Sequence, residues 1–343
     1  MRTRILLFAL ATLMLCGVAT AYTVYAIHRD RAELARHVSA GVRGPLDVTP
    51  DAPSGILFRD TSPGPDYGRL TVVDRDSPGG VRTVGPRSCQ RAYAAGGTVL
   101  CLAGEGTLIV RNHAIVLNSA LEEVAKLPLA GLPNRARVSA SGRMASWTVF
   151  TYGDDYASGS FSTRTSIYDV RTGQLVQSLE DFTTYRDGKV FAPADRNFWG
   201  VTFAADDNTF YATVSPVSQG RTYLVRGDFA KRSLTILREN VECPSLSPDN
   251  TRIAFKKKVS GDRTRPWRLY VLDLATMTET PLAGTDGVDD QPAWLDDATV
   301  AYGMPIGGNG NLSDVWSTPA DGSGGPRLLI PNGFSPAALG KVH

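Results

Sequence analysis

The chain is poor in the residues on which most enzyme chemistry depends. Four histidines occur in 343 residues, and only His113 lies in the patterned part, away from His28, His37 and His343. Histidine is the commonest general base and metal ligand, so this scarcity argues against most acid–base and metal mechanisms. No G-x-S-x-G is present, which removes the nucleophile elbow of serine hydrolases. An excess of charge is missing too: 36 Lys+Arg stand against 34 Asp+Glu. Residues 1–37 carry +3 and the remainder −1, which leaves no basic footprint for nucleic acid. Lysine is rare, 7 against 29 arginines, a bias that resembles proteins of GC-rich, actinobacterial genomes.

What is present begins with an uncharged apolar run, Ile5–Ile27. At 1.5 Å rise per residue such a run can span a bilayer core of about 30 Å. Residues 1–27 are therefore read as a transmembrane signal anchor or a signal peptide with an A-x-A site at Ala19–Ala21. The continuation to Ile27 favours the anchor, and either reading exports the remainder of the chain. Residues 28–54 are polar and then rich in Pro and Gly, the composition of a short linker.

From residue 55 onward the chain repeats. The clearest unit reads CPSLS, a PDN turn, RIAFKKK, RLYVLDL and TETPL, and PAWLDDATVAY restarts it about fifty residues later. Four short strands at that period predict a blade of a β-propeller. Labelled A (inner) to D (outer), six such units fit into residues 55–343. The fold class is thus all-β: a six-bladed propeller of four-stranded antiparallel blades, preceded by one N-terminal helix. The first unit lacks strand A, and a spare segment, Phe334–Ala338, comes after the last. That segment is expected to supply the missing inner strand and close the ring, which removes exposed sheet edges.

SLSPDNTRIAF followed by LYVLDLATMTETPL resembles the repeat of the TolB-like, WD40-like (PD40-type) propellers. The resemblance is best over Cys243–Leu282 and weakest in the N-terminal half. It implies a non-catalytic binding platform of the cell envelope.

Among the cysteines, antiparallel pairing about a turn near Ala94–Gly96 sets Cys89 against Cys101, and an exported protein favours a disulfide there. A lone C-x11-C without His or a third Cys has poor metal spacing. Cys243 is expected to be a buried free thiol. Asp74, Asp169 and Asp273 recur at the ends of C strands, where short acceptors bond turn N–H groups. GDD (153–155) and VDDQ (288–291) could touch Ca²⁺, but neither has the acidic spacing of a dedicated loop. No cofactor is expected.

Loop lengths suggest where function lies. A–B and C–D turns are mostly short, whereas the B–C connections, on the opposite face, are mostly long. Long loops on a rigid scaffold are where binding residues concentrate. One B–C loop supplies Tyr152, Asp154, Asp155 and Tyr156, and another supplies Lys257, Lys258, Arg263, Arg265 and Trp267. These form the candidate binding face, since aromatics and Arg commonly anchor interfaces. The expectation is a monomeric, non-enzymatic exported propeller, held at the cell membrane by a single span or secreted after cleavage at Ala21. Its partner is expected to be a protein, peptide or envelope component. A sugar or other small-ligand sensor using the central channel is the first alternative, and an atypical propeller enzyme the second.

Overall fold

The computed structural model describes residues 12–25, 41–106, 109–151, 162–262, 264–306 and 312–340. The chain divides into two units, Met1–Ser39 and Ala40–His343. In the first, residues 12–25 form an exposed α-helix. Among the described residues no helix is long and apolar enough to cross a membrane. The apolar run Ile5–Ile27 extends beyond that helix into positions outside the described residues.

The second unit is a ring of six sheets. Blade 2 runs Arg91–Ala95, Thr98–Glu105, Arg111–Leu117 and Glu123–Pro128 from inside to outside. Blade 3 runs Gly131–Val138, Met144–Thr151, Ser162–Asp169 and Leu175–Val176. Blade 4 is built on Arg196–Phe203, Thr209–Pro216, Tyr223–Asp228 and Ser233–Glu239. Blade 5 comprises Glu242–Leu246, Arg252–Lys258, Trp267–Asp273 and Glu279–Pro281. Blade 6 comprises Ala293–Trp294, Thr299–Ile306, Leu312–Pro319 and Arg327–Ile330.

Blade 1 closes the ring as the sequence predicts. Its B, C and D strands are Gly55–Asp60, Arg69–Asp74 and Arg82–Ser88. Its inner strand is the C-terminal Gly333–Leu339, paired antiparallel from Gly55↔Leu339 to Asp60↔Gly333. The core results from this arrangement, because the middle strands of every blade are covered on both faces. Six apolar clusters form, one between each pair of neighbouring blades. Leu100 and Leu102 of blade 2 against Trp147 and Val149 of blade 3 are one example. Each fully buried Leu or Phe stabilises the ring by roughly 2 kcal/mol.

The S-P-D-N turn of blade 5 works through its side chains. The Asp249 carboxylate accepts the Thr251 N–H at 3.0 Å and bonds the Ser247 hydroxyl. Asn250 adopts the left-handed region at φ 61°, which Asn tolerates well. The strand-C aspartates do what their positions suggest. Asp74 accepts the Asp76 N–H at 2.7 Å, and Asp273 accepts those of Ala275 and Thr276. Asp169 accepts from Arg171 and Thr172 and pairs with Arg143.

The structure differs from the sequence expectations in several places. Part of the stretch read as a linker is folded: Gly41–Arg43 pairs parallel with the outer strand of blade 1, and Leu46 and Val48 are buried between blades 1 and 2. The strand pairing and two apolar side chains spaced by one residue dock a segment otherwise composed as a spacer. Blade 4 carries two extra outer strands, Thr183–Arg186 and Lys189–Val190, drawn from the connection after blade 3. Blade 3 starts its inner strand at Gly131, six residues before the expected Arg137.

The Cys89–Cys101 disulfide is present, with a Cα–Cα distance of 5.4 Å. The register behind it is not the expected one, for Cys101 lies opposite Ala92 in the ladder. Cys89 precedes the strand, in the connection from blade 1, where its N–H bonds Gly68 O at 2.9 Å. The bridge therefore ties the blade 1–2 connection to the B strand of blade 2. Cys243 is free and buried.

Candidate functional site

The inner strands run from the B–C face to the A–B face, so successive inward residues of each strand line successive levels of the channel. At the B–C end the channel opens into a funnel of about 990 Å³. Its floor is made by Arg91, Arg135, Trp199 and Cys243 of adjoining inner strands, with Asp289 from the connection into blade 6. Its wall is the end of the blade 5 hairpin, Lys256, Lys258, Pro266 and Trp267, with Phe150 and the blade 4 loop opposite.

The hairpin positions its side chains by the two-residue alternation of a strand. Lys256 and Lys258 point to the funnel, with Lys258↔Trp267 as a cross-strand pair. Lys256 is only 3% exposed. Its ammonium pairs with Asp289, lies 3.8 Å from Glu242 and sits 4.1 Å over the Trp267 ring. The Trp267 indole N–H donates to Glu242 at 3.0 Å, so one carboxylate holds both ring and cation in place. Burial opposes the Lys256 charge, but Cys243, Asp289 and Glu242 outweigh it and raise its pKa. For Asp289, burial is outweighed by Lys256 and Arg135, which hold the carboxyl below its ordinary range.

The neighbouring floor is also ionic. Arg91 donates to Asp290 at 2.9 Å and stacks 4.0 Å over the Phe334 ring. Burial, opposed by Asp290, lowers its pKa. Below it, Arg137 stacks 4.3 Å over Tyr93, and Gln291 donates to Val201 O and Pro244 O, which fills the centre of the channel. Gly200, at φ 67°, lets blade 5 come close, since a Cβ there would lie 2.7 Å from Cys243 Cα. Beyond this plug a smaller opening of about 370 Å³ lies on the A–B face, edged by Val48–Pro50.

Of the residues proposed from sequence, Lys258 and Trp267 line the funnel. Lys257 points to the other side of its strand, where it pairs with Glu279 and stacks 5.1 Å over Tyr270. Arg265 lies on the same loop and donates to Asp286 O at 2.9 Å, outside the funnel lining. Tyr152, Asp154, Asp155, Tyr156 and Arg263 lie outside the described residues. Sequence reading missed Lys256, Arg135, Arg91, Trp199 and Asp289. The signal for Lys256 was in the alternation of the KKK run, which puts 256 and 258 on the face opposite 257. The Ca²⁺ candidate at 288–291 already has cations, since Asp289 pairs with Lys256 and Asp290 with Arg91. His113 sits on the third strand of blade 2, with Nδ1 4.0 Å from Glu105, away from the funnel lining.

No family model matches the sequence, and no curated protein does. Solved structures do. TolB from Acinetobacter baumannii superposes with a TM-score of 0.59 at 16% identity, over 84% of this chain and 66% of that one. This chain thus spans just under two thirds of that protein. A structure described as a putative TolB from Agrobacterium tumefaciens gives 0.46 at 12% identity, over 82% and 91%. Puromycin hydrolase gives 0.46 at 18%, over 78% and 42%. In fold the chain is a TolB-like six-bladed propeller.

Proposed function

We propose that this propeller is a non-catalytic binding platform, displayed outside the cytoplasm, that takes part of a protein, peptide or envelope component into the funnel on its B–C face. The observation that carries the reading is the funnel itself. A concave site of about 990 Å³, walled by Trp267, Trp199 and Phe150 above an ionic floor, has the make-up of an interface anchor site. Binding is favoured over catalysis by the state of its carboxylates. Asp289 and Asp290 are committed to cations, and Asp289, held below its ordinary range by Lys256 and Arg135, is a weak general base. The pocket volume also suits a small ligand, and a thermal-shift screen with sugars and metals tests that second reading.

The test of the first is retention of envelope components by the immobilised full chain. Trp267→Ala, and separately replacement of Tyr152–Tyr156 by Gly/Ser, should each lose a component that the wild type retains. A change at the other end, Asn250→Gly, should not. Equal retention by all four proteins would remove the funnel as the binding face.

A further inference from the structure

The funnel floor is ionic. Arg91, Arg135 and Lys256 line it, Arg137 lies in the layer below, and the carboxylates beside them are Glu242, Asp289 and Asp290. Arg91 has Asp290, and Lys256 shares Asp289 and Glu242. Arg137 has Pro292 O at 2.8 Å and the Tyr93 face. Arg135 has carboxylates near it but few hydrogen-bond acceptors. It is 8% exposed, and what surface it keeps lines the funnel. Of its five N–H donors, one reaches Asn134 O at 3.3 Å, and Nε has no hydrogen-bond partner. Asp289 lies 3.8 Å from Nη2, beyond hydrogen-bond reach, and is itself 54% exposed and bonded to Lys256. The Cys243 sulfur is a weak acceptor beside it, and burial is outweighed by Cys243, Asp290 and Asp289, which keep the guanidinium charged.

A buried guanidinium with its Nε unpaired among the described residues and weak acceptors elsewhere gains from an added acceptor. We propose that the funnel floor is an anion subsite in which Arg135 takes a single carboxylate of the bound ligand, with the rings of Trp267 and Trp199 flanking the group that carries it. The charge balance selects the class. Arg91 and Lys256 are paired with carboxylates, so the incoming group faces the single charge of Arg135, which a carboxylate matches and a phosphate monoester, near −2, overshoots. Arg presents the planar fork that a carboxylate accepts. The inference rests on the funnel being the binding face and adds the chemistry that it recognises.

The probe is benzoate, with benzamide as the neutral isostere and phenyl phosphate as the dianionic one. The full chain is labelled with 5-fluorotryptophan, which gives five ¹⁹F signals for its 5 tryptophans. Benzoate should shift Trp267 and Trp199 and leave Trp294, which lines the opposite opening, unmoved. Benzamide should shift none, and phenyl phosphate should bind more weakly than benzoate. Arg135→Gln should weaken benzoate at least about tenfold, as loss of a charge-assisted bond does, while Lys258→Gln at the rim changes affinity less than about threefold. Should Arg135→Gln fail to fold, the wild-type shift pattern still decides. No shift at Trp267, equal shifts with benzamide, or tighter binding of phenyl phosphate overturns the proposal. Each of those results leaves the retention experiment standing, so the two readings fail separately.

Discussion

The two ends of the channel use the same kinds of side chain to opposite ends. On the A–B face, polar groups are consumed by the backbone. Ser247, Asp249 and Asn250 close their own turn, Ser141 donates to Asp207 of the next blade, and the Asp249 carboxylate accepts the Thr251 N–H. Burial opposes the Asp249 charge, but bonds from Ser247 and Thr251 outweigh it and hold its pKa at about 2. On the B–C face, Arg135 keeps an unpaired Nε and Lys258 makes no ion pair among the described residues. One end is finished as a structure and the other is open to a partner. The repeat motif, clearest in blade 5, therefore marks scaffolding, whereas the candidate binding chemistry sits at inward positions that do not repeat.

This contrast predicts that changes in the closed scaffold lower stability, whereas changes in the funnel alter binding and leave stability alone. The largest effect should come from deleting residues 333–343. That removes the inner strand of blade 1, with buried Ala337 and Leu339, and should lower Tm by about 10 °C or more in calorimetry. An unchanged melting curve would show that the ring does not close through this strand. Replacing both Cys89 and Cys101 by Ala opens a crosslink with a sequence separation of 12 and should cost about 3 kcal/mol in denaturant unfolding. Mass spectrometry of the non-reduced, denatured wild type should accordingly find only Cys16 and Cys243 alkylated.

Asp169 comes next. Burial works against its charge, but the Arg143 guanidinium and the N–H groups of Arg171 and Thr172 prevail and hold its pKa at about 2, below the ordinary 3.8. A depressed carboxylate stabilises the fold fully above the unfolded value, and that stability is lost as pH falls from about 4 through 2. Asp169→Asn should cost about 2 kcal/mol at pH 7 and flatten the acid limb of the stability curve. A variant as acid-sensitive as the wild type would assign the acid limb to other groups. The smallest effect belongs to the funnel rim, where Lys258→Ala should change stability by less than about 0.5 kcal/mol. A large loss there would blur the contrast between the two ends.

The fold was legible because it is periodic. A four-strand unit, a first blade short of one strand and a spare strand at the C-terminus leave one way to close. The segment Leu46–Val48 was hidden because two apolar residues among Pro and Gly look like a spacer until the groove between blades exists. The site was legible only in part. Lys258 and Trp267 could be found because they end a recognisable hairpin. Arg91, Arg135, Trp199 and Asp289 are far apart in sequence and become neighbours only when the inner strands converge. Arg135 lies ahead of the apolar pattern that marks its strand, and Lys257 shares the hairpin with Lys258 but, by strand alternation, faces the other side.

If the B–C funnel, and not the turn end, receives the partner, a reactive group placed at each end should tell the two apart. Site-specific photocrosslinking in the native envelope does this, with p-benzoylphenylalanine at position 267 in one full-length protein and at position 248 in another. The expected result is a discrete adduct from position 267 and none from position 248. Adducts from 248 alone, or from neither position, would contradict it.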